Sequence, residues 1–169
     1  PELIRVDLQN ASTSIIKQST TLDLDPAYYS VPETIEFPTG NNETAHGFYY
    51  PPTNKDYKGL ERESPPLVVI MHGGPTGATH NVLSLRTQFW TSRGFAVLDV
   101  NYRGSTGYGR IYRDKLIRQW GIVDVEDAVK GAEYLVQQSK ADANRLVIRG
   151  GSAGGYTTLS ALTFADTFR

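Results

Sequence analysis

The stretch Gly150-Gly151-Ser152-Ala153-Gly154-Gly155 decides the fold of this 169-residue chain. It follows the short apolar run Leu146-Val147-Ile148-Arg149, which predicts a buried strand, and it precedes residues 156–162, which predict a packed helix. A turn that joins a strand to a helix in so few residues is sharp. A side chain at Gly150 or Gly154 would collide with neighbouring backbone, so glycine is expected at both positions.

The spacing of Gly150, Ser152 and Gly154 is the G-x-S-x-G pattern of a nucleophile elbow. In the α/β-hydrolase fold such an elbow presents the serine hydroxyl at the edge of the sheet. The N-terminus of the following helix favours negative charge that develops near Ser152. The alternative is an ordinary glycine-rich turn, because the bare pattern is common by chance. The position of the pattern between a predicted strand and a predicted helix favours Ser152 as a candidate nucleophile.

Predicted strands and helices alternate in the region before the elbow. Leu67–Met71 and residues 95–100 are continuous apolar runs, as expected for strands that are covered on both faces. Residues 81–93, 112–116 and 124–138 predict helices. The expected apolar stripe of the first helix consists of Val82, Leu85, Phe89 and Trp90. This alternation predicts an α/β-hydrolase fold, a three-layer sandwich with a mainly parallel sheet, truncated after the nucleophile helix.

The N-terminal region has a different character. Residues 1–31 are polar and β-leaning, without a helical period. Two short strands are possible there, Ser14-Ile15-Ile16 and Thr20-Thr21-Leu22. Further along, Gly40-Asn41-Asn42 separates the β-prone residues 34–37 and 45–50, and this pattern predicts a hairpin.

The loop His72-Gly73-Gly74-Pro75 directly follows the first of the buried strands. An oxyanion hole in this fold takes one N–H from the residue after the nucleophile and a second from this loop. The expected donors are Ala153 and Gly74, with Gly73 as the alternative to Gly74. The remaining alternative is a tight turn whose glycines serve geometry alone. His72 precedes the serine on the oxyanion side of the sheet, so we expect it to have a structural role.

The acid and the histidine of a catalytic triad follow the serine in this fold. His46, His80, Asp99 and Asp124 all precede Ser152 and therefore do not fit that order. We interpret the two histidines as structural or exposed, Asp99 as a strand-end residue and Asp124 as a helix cap. No histidine follows Ser152 in the sequence. The residues that activate this serine are therefore expected outside the chain.

A second glycine-rich segment, Arg103-Gly104-Ser105-Thr106-Gly107-Tyr108-Gly109, follows the second buried strand. It fits neither a phosphate-binding loop nor a dinucleotide fingerprint, so a structural loop beside the active-site cleft is expected. Arg103 is a candidate to pair with a substrate carboxylate. A structural ion pair at Arg103 is the alternative.

Composition excludes several classes of function. The net charge of −1 gives no indication of a nucleic-acid partner, and 39% hydrophobic residues are ordinary for a globular domain. Without cysteine the chain forms no disulfide and has no thiol nucleophile, and its three scattered histidines indicate no metal site. Leu67–Met71, the longest aliphatic run, is far too short to span a bilayer. A chain that begins with Pro1 is expected to be a piece of a longer protein.

Four motifs together carry a resemblance to a known family. In chain order they are His72–Pro75, Asn101–Gly109, Asp124–Ala128 and Gly150–Tyr156. This set resembles the prolyl oligopeptidase family of serine peptidases, in particular its acylaminoacyl-peptidase and dipeptidyl-peptidase-like branch. Members of that family combine an N-terminal β-propeller with a C-terminal α/β-hydrolase domain.

The resemblance implies a domain division and a set of site residues. Residues 1–31 would be the end of the propeller with its linker, and residues 32–169 the N-terminal portion of the catalytic domain. Ser152 would be the acylated nucleophile, with Gly74 and Ala153 as the oxyanion hole. Tyr156, which packs beside the elbow, joins Arg103 as a candidate substrate-binding residue. The resemblance implies no cofactor and no metal, and it favours a cytoplasmic location.

The expected function is that of a serine peptidase acting on short peptides, with little or no turnover by this chain alone because its triad is incomplete. A carboxylesterase or lipase-like hydrolase on the same fold is the first alternative. A non-catalytic fragment that persists by association is the second. We expect the exposed sheet edge beside Leu146 to self-associate or to pair with the C-terminal part of the domain.

Overall fold

A computed structural model describes residues 2–19 and 23–169 of the chain. The possible strand at residues 20–22 lies outside the described residues. Two short 3-10 helices span Pro26–Tyr28 and Gly40–Asn42. The strands are β1 Glu2–Val6, β2 Thr13–Gln18, β3 Glu33–Thr39, β4 Glu43–Tyr50, β5 Leu67–Met71, β6 Ala96–Asn101 and β7 Leu146–Gly150. The α-helices are α1 Leu85–Thr91, α2 Arg110–Asp114, α3 Val123–Gln137 and α4 Ala153–Phe164.

Five of the strands form one sheet in the order β3-β4-β6-β5-β7. The pairs β5–β6 and β5–β7 are parallel, as predicted from the buried apolar runs. The pairs β3–β4 and β4–β6 are antiparallel, so the sheet is mixed, with the predicted hairpin forming its antiparallel half. Met71 is in register with Val100 on one side and with Gly150 on the other. The ends of β5 and β7 therefore meet at one edge of the sheet.

Helices cover both faces of this sheet, and the predicted three-layer arrangement is confirmed. Helices α3 and α4 pack against each other and against one face, whereas α1 packs against β6 on the other. The larger core lies under α3 and α4; it includes Phe37, Leu67, Val69, Leu98, Val100 and Leu135. The smaller core includes Tyr50, Val68 and Val97, with Trp90 and Phe95 packed against them.

Helix α1 differs most from the sequence prediction. It begins at Leu85 rather than at residue 81, because the Ser84 side chain caps it by accepting a hydrogen bond from the Thr87 N–H. The predicted apolar stripe is wrong for Val82, Leu85 and Phe89, which are all at least 48% exposed, whereas its fourth member, Trp90, packs against the smaller core. The helix buries Thr87, Gln88 and Thr91 instead. Gln88 is tied to the backbone of Ser30, which explains why a polar residue faces inward.

Strands β1 and β2 form a separate antiparallel pair, and every residue of both strands is exposed. The sequence predicted a strand at Ser14–Ile16 within β2 but not β1. The assignment of residues 1–31 to the end of a propeller stays a prediction.

Candidate active site

The candidate nucleophile lies in a tight turn between β7 and α4. Ser152 has a φ of 55° and a ψ of −123°, a backbone conformation that is rare for a residue other than glycine. A Cβ atom at Gly150 would lie less than 3.0 Å from the Gly154 carbonyl oxygen, and one at Gly154 would clash with the Met71 carbonyl oxygen. Both glycines are thus required where the sequence predicted them. The turn leaves Ser152 exposed.

The loop that follows β5 lies directly against this turn. Because β5 and β7 are parallel neighbours, Met71 and Gly150 end side by side and the two loops emerge together. A Cβ atom at Gly73 would lie 3.5 Å from the Ser152 Cβ and 3.2 Å from the Gly151 carbonyl oxygen. The sheet topology therefore brings residues 72–75 and the serine together.

The backbone N–H groups of Gly74, in the loop after β5, and of Ala153, directly after Ser152, are the expected oxyanion donors. Neither Gly74 nor Ala153 donates a backbone hydrogen bond to another of the described residues. Gly74 has a φ of 137°, in the region that favours glycine, and Ala153 is the first residue of α4. An N–H at the first turn of a helix has no acceptor within that helix and is available to an anionic oxygen.

The His72 side chain contacts neighbouring loop residues, as expected for a structural role of a histidine that precedes the serine. Its Nε2 lies 2.8 Å from the Ser105 hydroxyl, and its Nδ1 lies 2.8 Å from the Gly73 carbonyl oxygen. The ring stacks on Tyr102 at a centroid distance of 4.3 Å. Burial lowers the pKa of His72 below its usual value, although the hydrogen bond with Gly73 opposes this effect. Both ring nitrogens are thus engaged within the loops rather than with Ser152.

Arg103 forms structural ion pairs, which were the alternative to substrate binding in the sequence prediction. Its side chain is 1% exposed, and its guanidinium contacts the carboxylates of Glu43 at 3.1 Å, Glu126 at 2.6 Å and Asp127 at 2.8 Å. The Arg103 backbone N–H also donates to Asp127 at 2.7 Å. A guanidinium surrounded in this way is not accessible to a substrate carboxylate. This arrangement corrects the candidate substrate-binding role of Arg103 to a structural one.

Tyr156 lies one helical turn after Ser152 and is 49% exposed. Its ring packs against Trp120 at a centroid distance of 4.8 Å. Gly121 lies beneath the same ring, where a Cβ atom would be 2.9 Å from it. Tyr156 thus belongs to an exposed aromatic pair beside the elbow helix, and its contact with a substrate stays a prediction.

Asp99 and Asp124 have roles other than those expected. β6 continues to Asn101, so Asp99 lies within the strand and not at its end; burial raises its pKa to about 6, opposed by a hydrogen bond from Thr79. Asp124 is the second residue of α3 rather than its cap. Its carboxylate accepts the Gly121 N–H at 2.6 Å and the hydroxyl of Thr157, and so connects the start of α3 to α4.

Among the described residues, neither of the other two histidines forms a hydrogen bond or an ion pair with the serine's turn. His46 stacks on Tyr108 at a centroid distance of 4.2 Å, and His80 is exposed. In residues 2–19 and 23–169, no group of three or more histidine, aspartate or glutamate side chains is arranged to hold a metal ion.

Comparison with known proteins identifies the family. The profile of the prolyl oligopeptidase family, Peptidase_S9, matches residues 81–169, which is more than half of the chain. The chain belongs to this family. A solved Mycobacterium tuberculosis structure described as a puromycin-hydrolyzing peptidase is similar over 99% of the chain, with a TM-score of 0.94 and 46% identity. The α/β-hydrolase prediction is thereby confirmed.

Two curated relatives within the prolyl oligopeptidase family are informative. Dipeptidyl aminopeptidase BIII of Pseudoxanthomonas mexicana is 33% identical over 137 residues, or 79% of this chain. The human acylamino-acid-releasing enzyme is 36% identical over 105 residues, or 62% of this chain. The chain spans 20% and 14% of the lengths of these two relatives, and 26% of the solved structure.

Among the parts of the chain that the structure describes, no helix is both long and apolar enough to cross a bilayer.

The sequence predictions missed the contact between Asp99 and Thr79. The available signal was an acidic residue inside an otherwise apolar predicted strand, since a buried carboxyl group needs a polar partner.

Proposed function

We propose that residues 1–169 belong to a longer parent protein that is a serine peptidase acting on short peptides through an acyl-enzyme at Ser152. One observation carries this proposal: the strained, exposed Ser152 lies against the glycine loop that carries Gly74, and neither the Gly74 nor the Ala153 N–H donates to a backbone acceptor among the described residues. A positive φ at a residue other than glycine costs free energy, and such strain is concentrated at functional sites.

The proposed chemistry follows from this arrangement. The Ser152 oxygen attacks the substrate carbonyl carbon while a base takes its proton, and the carbonyl oxygen becomes an oxyanion. The N–H groups of Gly74 and Ala153 donate hydrogen bonds to that oxyanion. The amine leaves with the transferred proton, and water then hydrolyses the acyl ester to restore the serine.

The base and its orienting acid come from elsewhere in this proposal. Within the described residues, the Ser152 hydroxyl makes no hydrogen bond to a histidine or a carboxylate. A serine hydroxyl without an adjacent base is a poor nucleophile. We therefore expect residues 1–169 alone to show little or no turnover. A cytoplasmic location of the parent protein also stays a prediction.

The names of the relatives favour a peptidase over an esterase. They are a dipeptidyl aminopeptidase, an acylamino-acid-releasing enzyme and a puromycin-hydrolyzing peptidase. Two of these names describe a peptidase and the third describes release of an acylamino acid, and none describes an esterase. For this chain we propose short peptides and aminoacyl amides as the substrate class.

Steady-state hydrolysis by the parent protein tests this proposal. We expect an aminoacyl anilide to be cleaved with a measurable kcat/KM, with a simple ester of similar size as the comparison substrate. Ser152→Ala should lower kcat by at least about 10⁴-fold, as loss of a nucleophile does in such sites. Ser14→Ala is the matched control, because Ser14 is exposed in β2, and it should retain wild-type rates. Hydrolysis of the ester with no hydrolysis of the anilide would indicate a carboxylesterase, and activity that survives Ser152→Ala would contradict the proposal.

A further inference from the structure

The loop that carries Gly74 has little regular structure of its own. Residues 72–80 form neither helix nor strand between the end of β5 and the approach to α1. A segment of this kind keeps a fixed position only if other elements hold its polar groups. Its contacts therefore determine where the Gly74 N–H lies relative to Ser152.

Strand β6 holds this loop at Thr79. The Asn101 side chain accepts the Thr79 backbone N–H at 2.8 Å and donates to the Thr79 carbonyl oxygen at 3.1 Å. The Asp99 carboxylate accepts the Thr79 hydroxyl at 2.5 Å. All three polar groups of Thr79 thus find their partners on two side chains of one strand. Asn101 is itself held in place by a hydrogen bond to the Tyr108 hydroxyl at 3.1 Å.

The position of Asp99 makes this contact unusual. Asp99 lies in the middle of the sheet, in register with Phe48 on one side and Ile70 on the other. Both neighbouring residues are apolar, so a carboxyl group at this position costs free energy unless it is hydrogen-bonded. The hydrogen bond that the Asp99 carboxylate accepts from Thr79 offsets this cost.

Two more contacts attach the middle of the loop. The Thr106 N–H donates to the Gly77 carbonyl oxygen at 2.8 Å, and the Tyr102 hydroxyl donates to the Pro75 carbonyl oxygen at 2.9 Å. The loop is therefore held to β6 and to the segment that follows β6 along its whole length. At the C-terminal end of the loop, the β6 side chains of Asp99 and Asn101 bind Thr79.

We infer that Thr79, Asp99 and Asn101 form a clamp that fixes the loop bearing the Gly74 N–H, and that all three are positioning residues for the oxyanion hole. This inference rests on the proposed function, because it concerns the same site. Small displacements of preorganised donors cost a large part of their effect on the transition state. A loosened clamp should therefore lower kcat more than it changes KM.

Replacement of Thr79 in the parent protein tests the clamp. Thr79→Val keeps the shape of the side chain but removes its hydroxyl, whereas Thr79→Ser keeps the hydroxyl and is the matched control. We expect Thr79→Val to speed amide hydrogen exchange across residues 72–80. We also expect kcat to fall about tenfold, less than the loss of an oxyanion donor, with KM within about twofold of wild type. Thr79→Ser should match wild type in both measurements.

Replacement of Asp99 tests the acceptor in its hydrogen bond with the Thr79 hydroxyl. Asp99→Ala removes the acceptor and should resemble Thr79→Val, whereas Asp99→Asn retains an acceptor oxygen and should remain close to wild type. The Thr79 pair keeps the test decisive if Asp99→Ala does not fold.

The outcomes separate the clamp from the proposed function. Unchanged exchange in Thr79→Val, an unchanged kcat in an active parent protein, or equal effects of Val and Ser would overturn the clamp. Faster exchange in Thr79→Val alone, in a parent protein that hydrolyses no peptide, would support the clamp's hold on the loop and overturn the peptidase proposal.

Discussion

The turn that carries Ser152 has no room for a side chain at Gly150 or Gly154. A Cβ atom at Gly150 would clash with the Gly154 carbonyl oxygen, and one at Gly154 with the Met71 carbonyl oxygen. The strain at Ser152 belongs to the same turn. Local backbone geometry depends on a few neighbouring residues, and a sequence pattern describes it well.

A glycine substitution tests this argument. Gly154→Ala places a methyl group against the Met71 carbonyl oxygen, where the strand and the loop leave no space. We expect the free energy of unfolding of the parent protein's catalytic domain to fall by about 3 kcal/mol, at the upper end of overpacking costs. Denaturant-induced unfolding measures this change. Gly151→Ala is the matched control, since a Cβ there meets no atom within 4 Å. Equal stability of the two variants would contradict the account.

Contacts between residues distant in sequence were not predictable in the same way. Thr79 and Asp99 are 20 residues apart, and no periodicity relates them. Arg103 is the first residue of the predicted loop, yet its partners Glu43 and Asp127 lie on other elements. The sequence is compatible with two roles for Arg103, because only the packed structure reveals which charges contact it.

At the scale of elements, hydrophobic periodicity predicted the buried strands and α3 but not α1. The strand Leu67–Met71 and the parallel pairing around it followed from a continuous apolar run. The prediction of the buried face of α1 was wrong because that face is polar, with the Gln88 side chain hydrogen-bonded to the backbone of Ser30. A periodic pattern of apolar residues identifies the buried face of a helix only when the buried side chains are apolar.

Arg103 connects three elements, and its removal should be costly. Its guanidinium holds Glu43 at the start of β4 and both Glu126 and Asp127 on α3, while Arg103 itself follows β6. We expect Arg103→Met to lower the free energy of unfolding by about 3–5 kcal/mol, because it leaves the buried Asp127 carboxylate without a charged partner.

An exposed ion pair provides the control for this prediction. Arg113 pairs with Asp114 at 3.1 Å, and both side chains are more than 40% exposed. Arg113→Met should change stability by less than about 1 kcal/mol, as exposed pairs do. Urea unfolding of the two variants and the wild type makes the comparison. A similar small effect for both substitutions would show that the Arg103 cluster does not hold these elements together.

At the scale of the whole molecule, the outer edge of β7 pairs with no other strand among the described residues. β7 is one of the two edge strands of the sheet. On the neighbouring helix α4, Leu159 is 67% exposed and Phe164 is 81% exposed. An unpaired strand edge beside exposed apolar side chains is a template for association.

We therefore predict that residues 1–169 self-associate when produced alone. Sedimentation velocity over a range of concentrations should show species larger than 18.7 kDa that increase with concentration. The double substitution Leu159→Glu and Phe164→Glu should reduce this association, because it places charge on the exposed face. Leu8→Glu is the control, since Leu8 is 95% exposed but distant in sequence, between β1 and β2. A stable monomer at high concentration would contradict the prediction.

In the proposed function, residues outside this chain activate Ser152 as the nucleophile. The most direct test is intact-mass analysis after treatment with a fluorophosphonate probe, which forms an ester with an activated serine. The parent protein should gain the mass of one probe, and Ser152→Ala should gain none, while residues 1–169 alone remain unmodified. An unmodified parent protein, or an adduct that persists in Ser152→Ala, would contradict the account.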